Sequence, residues 1–233
     1  MLDSQPVASQ SWQGKLSLAY ERRAYQTILS CVQVQAPLKV QRPFYPEGGL
    51  CHSIMLHTAG GIVGSDRLAI EVALQPQSEA LITTAAATKV YRSNGSEAEQ
   101  VITLKLASGA CLEWLPQETI LFDGACYRQK LGVDLAAGAT WLGWEMTRLG
   151  RSARGERFDR GEWHSRIEVW QAGILVWVDP QWIAGGSAML TSPHGLANCP
   201  VVGSMAFVGA NVDPEILDLS LIHISEPTRR RGI

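Results

Sequence analysis

The chain has 233 residues, 46% of them hydrophobic, and its 20 basic and 22 acidic side chains leave a formal net charge of −2. This balance gives no overall field that would concentrate the protein on nucleic acid or on an anionic membrane, so we expect neither partner. The amino-terminal 15 residues lack the basic start and apolar stretch of a signal peptide, and no later segment has the length of a membrane span. We therefore expect a cytoplasmic protein.

Alternation of apolar and polar residues, with many β-branched side chains, dominates the chain and predicts strands with one face inside and one outside. In chain order the predicted strands cover residues 26–34, 68–74, 101–106, 127–135, 140–147, 166–170 and 174–178. Helix is scarce: residues 84–89 have the small side chains of one helical turn, and residues 214–219 follow a capping aspartate. The fold class is all-β, built from layered sheets with one or two short helices, and a single β domain at this length is common.

A weak repeat links three of these strands to the strands that follow them. Each copy ends a strand in leucine, continues through a short turn and opens the next strand with an alanine, at residues 74–81, 106–112 and 135–141. The alanines Ala80, Ala110 and Ala139 are 30 and 29 residues apart. This spacing favours stacked strand-turn-strand units with one continuous core. Three unrelated hairpins remain the alternative.

The glycine-rich segment 57–66 contains Gly60, Gly61 and Gly64. A phosphate loop requires a lysine followed by serine or threonine after the last glycine and then a helix, and neither is present. We expect the glycines to form a tight turn or to allow close backbone approach.

Cysteine and histidine show no metal-site spacing. The five cysteines form an odd set without a paired CxxC motif, so we expect reduced, mostly buried thiols. They are Cys31, Cys51, Cys111, Cys126 and Cys199. His52 and His57 lie close to Cys51 in sequence, but an extended strand would separate Cys51 from His57 by roughly 20 Å. A joint metal site for these three residues is therefore not expected.

Two clusters of charge invite a functional interpretation. Glu113, Glu118 and Asp123 stand among apolar strand residues, and a pair of such acids would suit a β-helical carbohydrate-active hydrolase, whereas outward-facing acids are the simpler explanation. Arginine recurs every third residue through a glycine-containing stretch, which predicts a solvated loop or a protein interface. The arginines are Arg148, Arg151, Arg154, Arg157 and Arg160. Six tryptophans from residue 141 to residue 182 surround this stretch, and most should belong to the core.

Five strings of residues, in order along the chain, resemble the urease accessory protein D family, UreD, which is called UreH in some bacteria. They cover residues 40–47, 56–66, 87–93, 112–120 and 149–158. The resemblance extends over roughly residues 12–219. It implies a β-helix-like protein that is not an enzyme, binds apo-urease and recruits the accessory proteins F and G for nickel insertion.

The resemblance also implies functional residues. Asp66, Glu145 and Asp179 fall on acidic positions of the family and are candidates for ligands of nickel in transit, with no tightly bound cofactor. Ser65 replaces a common glycine, and Asp179 stands where glutamate is usual. The partner-binding candidates are Arg148, Arg151, Arg154, Glu156 and Arg157. Residues 220–233 match nothing expected of the family, so we expect a non-native tail there and a family domain over residues 1–219 that lacks its final segment.

Overall fold

The computed structural model describes residues 11–209, which form two packed β-sheets. The first sheet contains β1 (Gln13–Arg23), β2 (Gln26–Gln35), β5 (Arg67–Leu74), β8 (Ala98–Leu106), β11 (Cys126–Leu135), β13 (Glu162–Gln171) and β14 (Ile174–Ala184). The second contains β3 (Leu38–Val40), β4 (Cys51–His57), β6 (Glu79–Thr84), β7 (Thr88–Val90), β9 (Cys111–Trp114), β10 (Thr119–Leu121), β12 (Thr140–Leu149) and β15 (Val201–Val208). Helix is confined to a 3₁₀ turn, Ser152–Arg154, and to α1, Ala188–Thr191. The all-β prediction is confirmed.

Parallel stacking organises both sheets. In the first sheet β1, β5, β8, β11 and β13 are successive parallel neighbours, and β2 and β14 close its two ends antiparallel. In the second sheet β4, β6, β9 and β12 are parallel, and β15 pairs antiparallel with β12. The chain passes repeatedly from one sheet to the other, so the described part resembles a β-solenoid.

The predicted repeat is present, with one correction. Leu74, Leu106 and Leu135 stack in register across β5, β8 and β11. In the turns that follow, the backbone amides of Ser78, Ala110 and Ala139 each donate to the carbonyl three residues earlier, and all three residues are buried. These residues are equivalent.

Ala80 is therefore not the counterpart of Ala110 and Ala139. It is paired with Leu112, two residues further along each strand. The assignment was wrong because a small buried residue suits both positions, and only the register shows which positions are stacked.

Two other local expectations were wrong. Residues 84–89 form no helical turn, because β6 continues to Thr84 and β7 begins at Thr88. The thiols are not mostly buried: Cys51 is buried, but Cys31 and Cys199 are exposed. The expected helix at 214–219 lies outside the described residues.

Leucine, isoleucine and valine fill most inward positions and form one core between the sheets. Most of the six tryptophans were expected in the core; Trp141 and Trp163 are buried, whereas Trp170 and Trp182 are exposed. The core is interrupted at one level by polar side chains.

Candidate functional site

A row of polar side chains crosses the inner face of the first sheet. Gln100, Gln129, Ser165 and Gln181 are consecutive partners across β8, β11, β13 and β14. The alternation of each strand turns these residues inward, where the neighbouring levels carry apolar side chains such as Leu131. Buried polar groups require partners, so this row marks a place where the interior accepts hydrogen bonds or a ligand.

Glu145 faces this polar row from β12 in the second sheet. The side-chain amide of Gln129 donates to its Oε1, and the Ser165 hydroxyl donates to its Oε2 at 3.1 Å. The carboxyl group is therefore held between two donors from two adjacent strands of the opposite sheet. Its own neighbour in register on β15 is Ser204, another polar residue.

Burial dominates the electrostatics of Glu145. Desolvation raises the pKa of its carboxyl group to about 7, although the hydrogen bonds from Ser165 and Gln129 lower it, and the nearby charge of Asp179 raises it further. A carboxyl group with this pKa is ionised in only part of the molecules at neutral pH, and a cation that reaches it stabilises the ionised form.

Asp179 completes the acidic pair. Gln181 donates its side-chain amide to Asp179 Oδ1 at 2.6 Å, and the Ser204 hydroxyl donates to Oδ2. Glu145 and Asp179 line the same small cavity, of about 10 Å³, between the ends of the two sheets. This is close to the space that one water molecule needs.

A larger cavity of about 310 Å³ lies on the other side of Glu145. Glu145 and Thr147 line both cavities, so they form the boundary between the two. The lining of the larger cavity also includes Ala86, Gln117 and Met146, which are exposed, and the cavity therefore reaches the surface beside residues 84–89. Glu145 is therefore reached from the surface through the larger cavity, and it shares the smaller cavity with Asp179.

The third predicted acid, Asp66, is fully buried in the glycine-rich turn rather than in the lining of these cavities. Its carboxylate oxygens accept hydrogen bonds from the backbone amides of Trp12 and Val63, each at 2.9 Å. It thus ties Trp12, directly before β1, to the turn. Burial lowers the pKa of His57, which lines the larger cavity, and the charge of Asp66 opposes that shift. The role of Asp66 as a nickel ligand stays a prediction.

The glycines of the turn allow close approach to β7. Gly60 has φ +77° with open space around it, whereas a Cβ on Gly61 would lie 2.8 Å from the Lys89 carbonyl oxygen. A Cβ on Gly64 would lie 2.8 Å from the Ser96 carbonyl oxygen. Gly60 and Gly61 both line the larger cavity, so the turn shapes its wall.

The arginine stretch is partly held in internal contacts. Arg151 donates to Glu156 and lies over the Phe122 ring, 4.1 Å from its centroid. Arg157 donates to the Asn198 side chain at 2.9 Å. Arg148 lies within β12 and is half-buried, and Arg154 is exposed in the 3₁₀ turn; neither lines the two cavities.

The acids of the hydrolase alternative do not converge in a cleft. Asp123 is bound by the Arg160 side chain and by the backbone amides of Asp159 and Arg160. Burial alone would raise the pKa of Asp123, but the hydrogen bonds from Arg160 outweigh it and leave the pKa lowered. In the described part of the chain, Glu113, Glu118 and Asp123 line none of the cavities found.

Sequence reasoning did not find Gln100, Gln129, Ser165, Gln181 or Ser204. The available signal was a polar residue at an inward-facing position of an alternating strand, followed by buried apolar residues at the next inward positions. That signal is weak for one strand, because a slip of one residue turns the same side chain outward. Only the register shows that these residues share one level.

The fold and the site define a parallel-stacked β protein with a pair of acids, Glu145 and Asp179, between its sheets and no cleft of converging catalytic acids among the described residues. A family model described as UreD urease accessory protein matches residues 13–229, and the chain belongs to that family.

Curated relatives agree. A urease accessory protein UreD of Trichormus variabilis is 58% identical over 92% of this chain and 77% of the relative. A UreD of Nostoc sp. is 60% identical over 89% of this chain and 75% of the relative. One from Synechocystis sp. is 42% identical over 90% of this chain and 78% of the relative.

The family serves urease maturation as an accessory protein and not as an enzyme. No helix among residues 11–209 is long and apolar enough to cross a membrane. The expected non-native tail, residues 220–233, lies outside the described residues.

Proposed function

We infer that this chain serves urease maturation by letting nickel pass through its interior, with Glu145 and Asp179 as successive ligands. One observation carries the proposal: Glu145 stands at the boundary of two cavities, one of which reaches the surface and the other of which contains Asp179. Nickel is the cargo of this path and not a resident cofactor.

The ligand chemistry suits passage better than storage. Carboxylate, amide and hydroxyl oxygens bind a divalent first-row metal more weakly than a site rich in imidazole or thiolate. The described residues contain no cluster of three or more histidine, cysteine or acidic side chains that would hold a metal ion. A cation at Glu145 is therefore attracted by charge and released readily.

The partners in this proposal are the urease apoprotein, which receives the nickel, and the accessory proteins F and G, which the chain recruits in the cytoplasm. Arg154 and Arg157, which are both exposed, offer basic groups for such a protein contact. The Arg151–Glu156 pair supports the same surface from within by holding the loop in one shape.

Substitution of the two acids tests the proposal. We expect Glu145→Ala or Asp179→Ala, expressed as the only copy in the cell, to reduce the nickel content of urease. The reduction should be roughly tenfold or more, which is typical when a group that interacts with a metal site is removed. Metal analysis of purified urease measures the effect.

Glu113→Ala is the matched control, because Glu113 belongs to the second sheet and lines no cavity found in the described residues. Normal nickel loading with both Glu145 and Asp179 replaced would contradict the proposed path. Asp66→Ala tests the remaining acid, and unchanged loading by a folded variant would remove Asp66 from the path.

A further inference from the structure

Tyr127 lies next to the acidic path without forming its wall. The ring is fully buried on β11, two residues before Gln129. Its hydroxyl oxygen lies 3.0 Å from Gln129 Oε1 and 3.2 Å from Gln100 Oε1, so its single proton is shared between the two amide oxygens. Burial strongly raises the pKa of Tyr127, and the hydroxyl remains a donor at all physiological pH values.

This contact decides which end of the Gln129 amide meets Glu145. An amide has one accepting oxygen and one donating nitrogen, and the nitrogen faces away from whatever the oxygen accepts. Because Tyr127 donates to Gln129 Oε1, the amide NH₂ is turned toward Glu145 and donates to it. The positive end of the amide dipole thus lies at the boundary of the two cavities.

We propose that Tyr127 is a positioning residue for the cation path, which holds the Gln129 amide so that its NH₂ competes with a passing divalent cation for Glu145. The proposal rests on the proposed function, since it concerns the same boundary. A cation must displace the amide to reach Glu145 Oε1, and it leaves when the amide returns. The cation is thereby not bound tightly at Glu145, where the larger cavity meets the smaller one.

Tyr127→Phe removes the proton that holds the amide. The amide is then held only by its contact with Glu145, so a Ni²⁺ ion that arrives there can turn the amide until its oxygen becomes a second ligand beside Glu145. Affinity for Ni²⁺, measured by calorimetry on the purified full chain, should rise roughly fivefold, the value of about one hydrogen bond, and Ni²⁺ dissociation should slow correspondingly.

Tyr20→Phe is the matched control. Tyr20 is also fully buried, and its hydroxyl donates to Ser53 Oγ at 2.8 Å, but Ser53, unlike Gln129, lines neither cavity. The two variants lose comparable buried hydrogen bonds, so unchanged Ni²⁺ affinity in Tyr20→Phe separates the effect on the path from general loss of stability.

A second variant shows whether Tyr127 acts through Gln129. Gln129→Met fills similar space without a donor and should also raise Ni²⁺ affinity, because the competitor for Glu145 is gone. In that background Tyr127→Phe should change Ni²⁺ affinity much less than in the wild-type chain, because only the contact with Gln100 is left to lose, whereas an independent structural role would give fully additive changes. Additivity would overturn the proposal.

The remaining outcomes separate this proposal from the proposed function. If Glu145→Gln abolishes Ni²⁺ binding while Tyr127→Phe leaves affinity and dissociation as in the wild-type chain, Tyr127 has no positioning role and the path stands. If Ni²⁺ binding survives unchanged in Glu145→Gln, both the path and the role of Tyr127 are overturned.

Discussion

At the scale of single residues, Glu145 is the most unusual group in the described part of the chain. Its carboxyl group lies between the sheets, where ionisation is costly, and yet hydrogen-bond donors and a cavity surround it. Structural carboxylates on the surface of the first sheet behave oppositely: the hydrogen bond from Lys130 lowers the pKa of Glu99. A buried acid with a raised pKa is typical of a functional site rather than of a stabilising one.

Glu145→Gln should change how stability depends on pH. The pKa of Glu145 rises from 4.5 to about 7 on folding, so the folded state binds this proton more tightly than the unfolded state does. The resulting stabilisation is complete below about pH 4.5 and is lost above about pH 7. Wild-type stability should therefore fall as pH rises from about 4.5 to 7, by about 3 kcal/mol from this group. The variant should lack that fall and be relatively more stable at pH 8.

Urea denaturation at pH 4 to 8 measures this difference. Glu99→Gln is the control, because the pKa of Glu99 is lowered on folding. Glu99 therefore stabilises the folded state at pH values above its pKa in the unfolded chain, and this stabilisation is lost as pH falls. The Glu99 effect should be small, since that side chain is near solvent. Parallel pH curves for wild type and Glu145→Gln would contradict the raised pKa.

At the scale of elements, the glycine-rich turn and β7 form one unit beside the mouth of the larger cavity. The Ile62 amide donates to the Lys89 carbonyl at 2.7 Å, and the Tyr91 amide donates to the Ile62 carbonyl at 2.8 Å. Gly61 permits this approach because it has no Cβ. The family motif at residues 56–66, which contains these glycines, is therefore also explained by backbone packing.

Gly61→Ala should destabilise the protein by about 2–3 kcal/mol, because the new methyl group would overlap the Lys89 carbonyl and the Tyr91 ring. Gly60→Ala should cost about 1 kcal/mol, since only the left-handed backbone opposes it. Thermal denaturation of the two variants measures the difference. Equal losses would show that close approach at Gly61 is not the constraint.

At the scale of the whole molecule, one apolar core connects both sheets from β1 to β14. The central strand β8 contributes to it with Leu104, which is fully buried, while Val101 on the same strand points outward. Since the stacked units share this core, we expect the described part to unfold in one cooperative transition.

Leu104→Ala should cost 2–5 kcal/mol, because it leaves a cavity at the centre of the stack. Val101→Ala on the opposite face should cost less than about 1 kcal/mol. Circular dichroism and tryptophan fluorescence should give the same midpoint for each variant. Two separated transitions in Leu104→Ala would contradict a single core.

Alternation and motif strings are local properties of the chain, and they suffice to predict the all-β class, seven of the strands, the stacked repeat and the family, but not β1, β4 or β15. The sequence also supplied Glu145 and Asp179, through resemblance to the family. It misassigned Ala80 and did not find Gln129 or Tyr127, since their importance depends on register between distant strands.

Three features depend on how distant strands pack: Glu145 meets Gln129 and Ser165 across the interior, Asp179 shares its cavity, and Asp66 is held in a turn. The physical reason is that hydrogen-bond register and sheet packing are set by the whole core at once. The alternation along a strand shows which residues share a face, but it does not show which residues of other strands lie beside or opposite them.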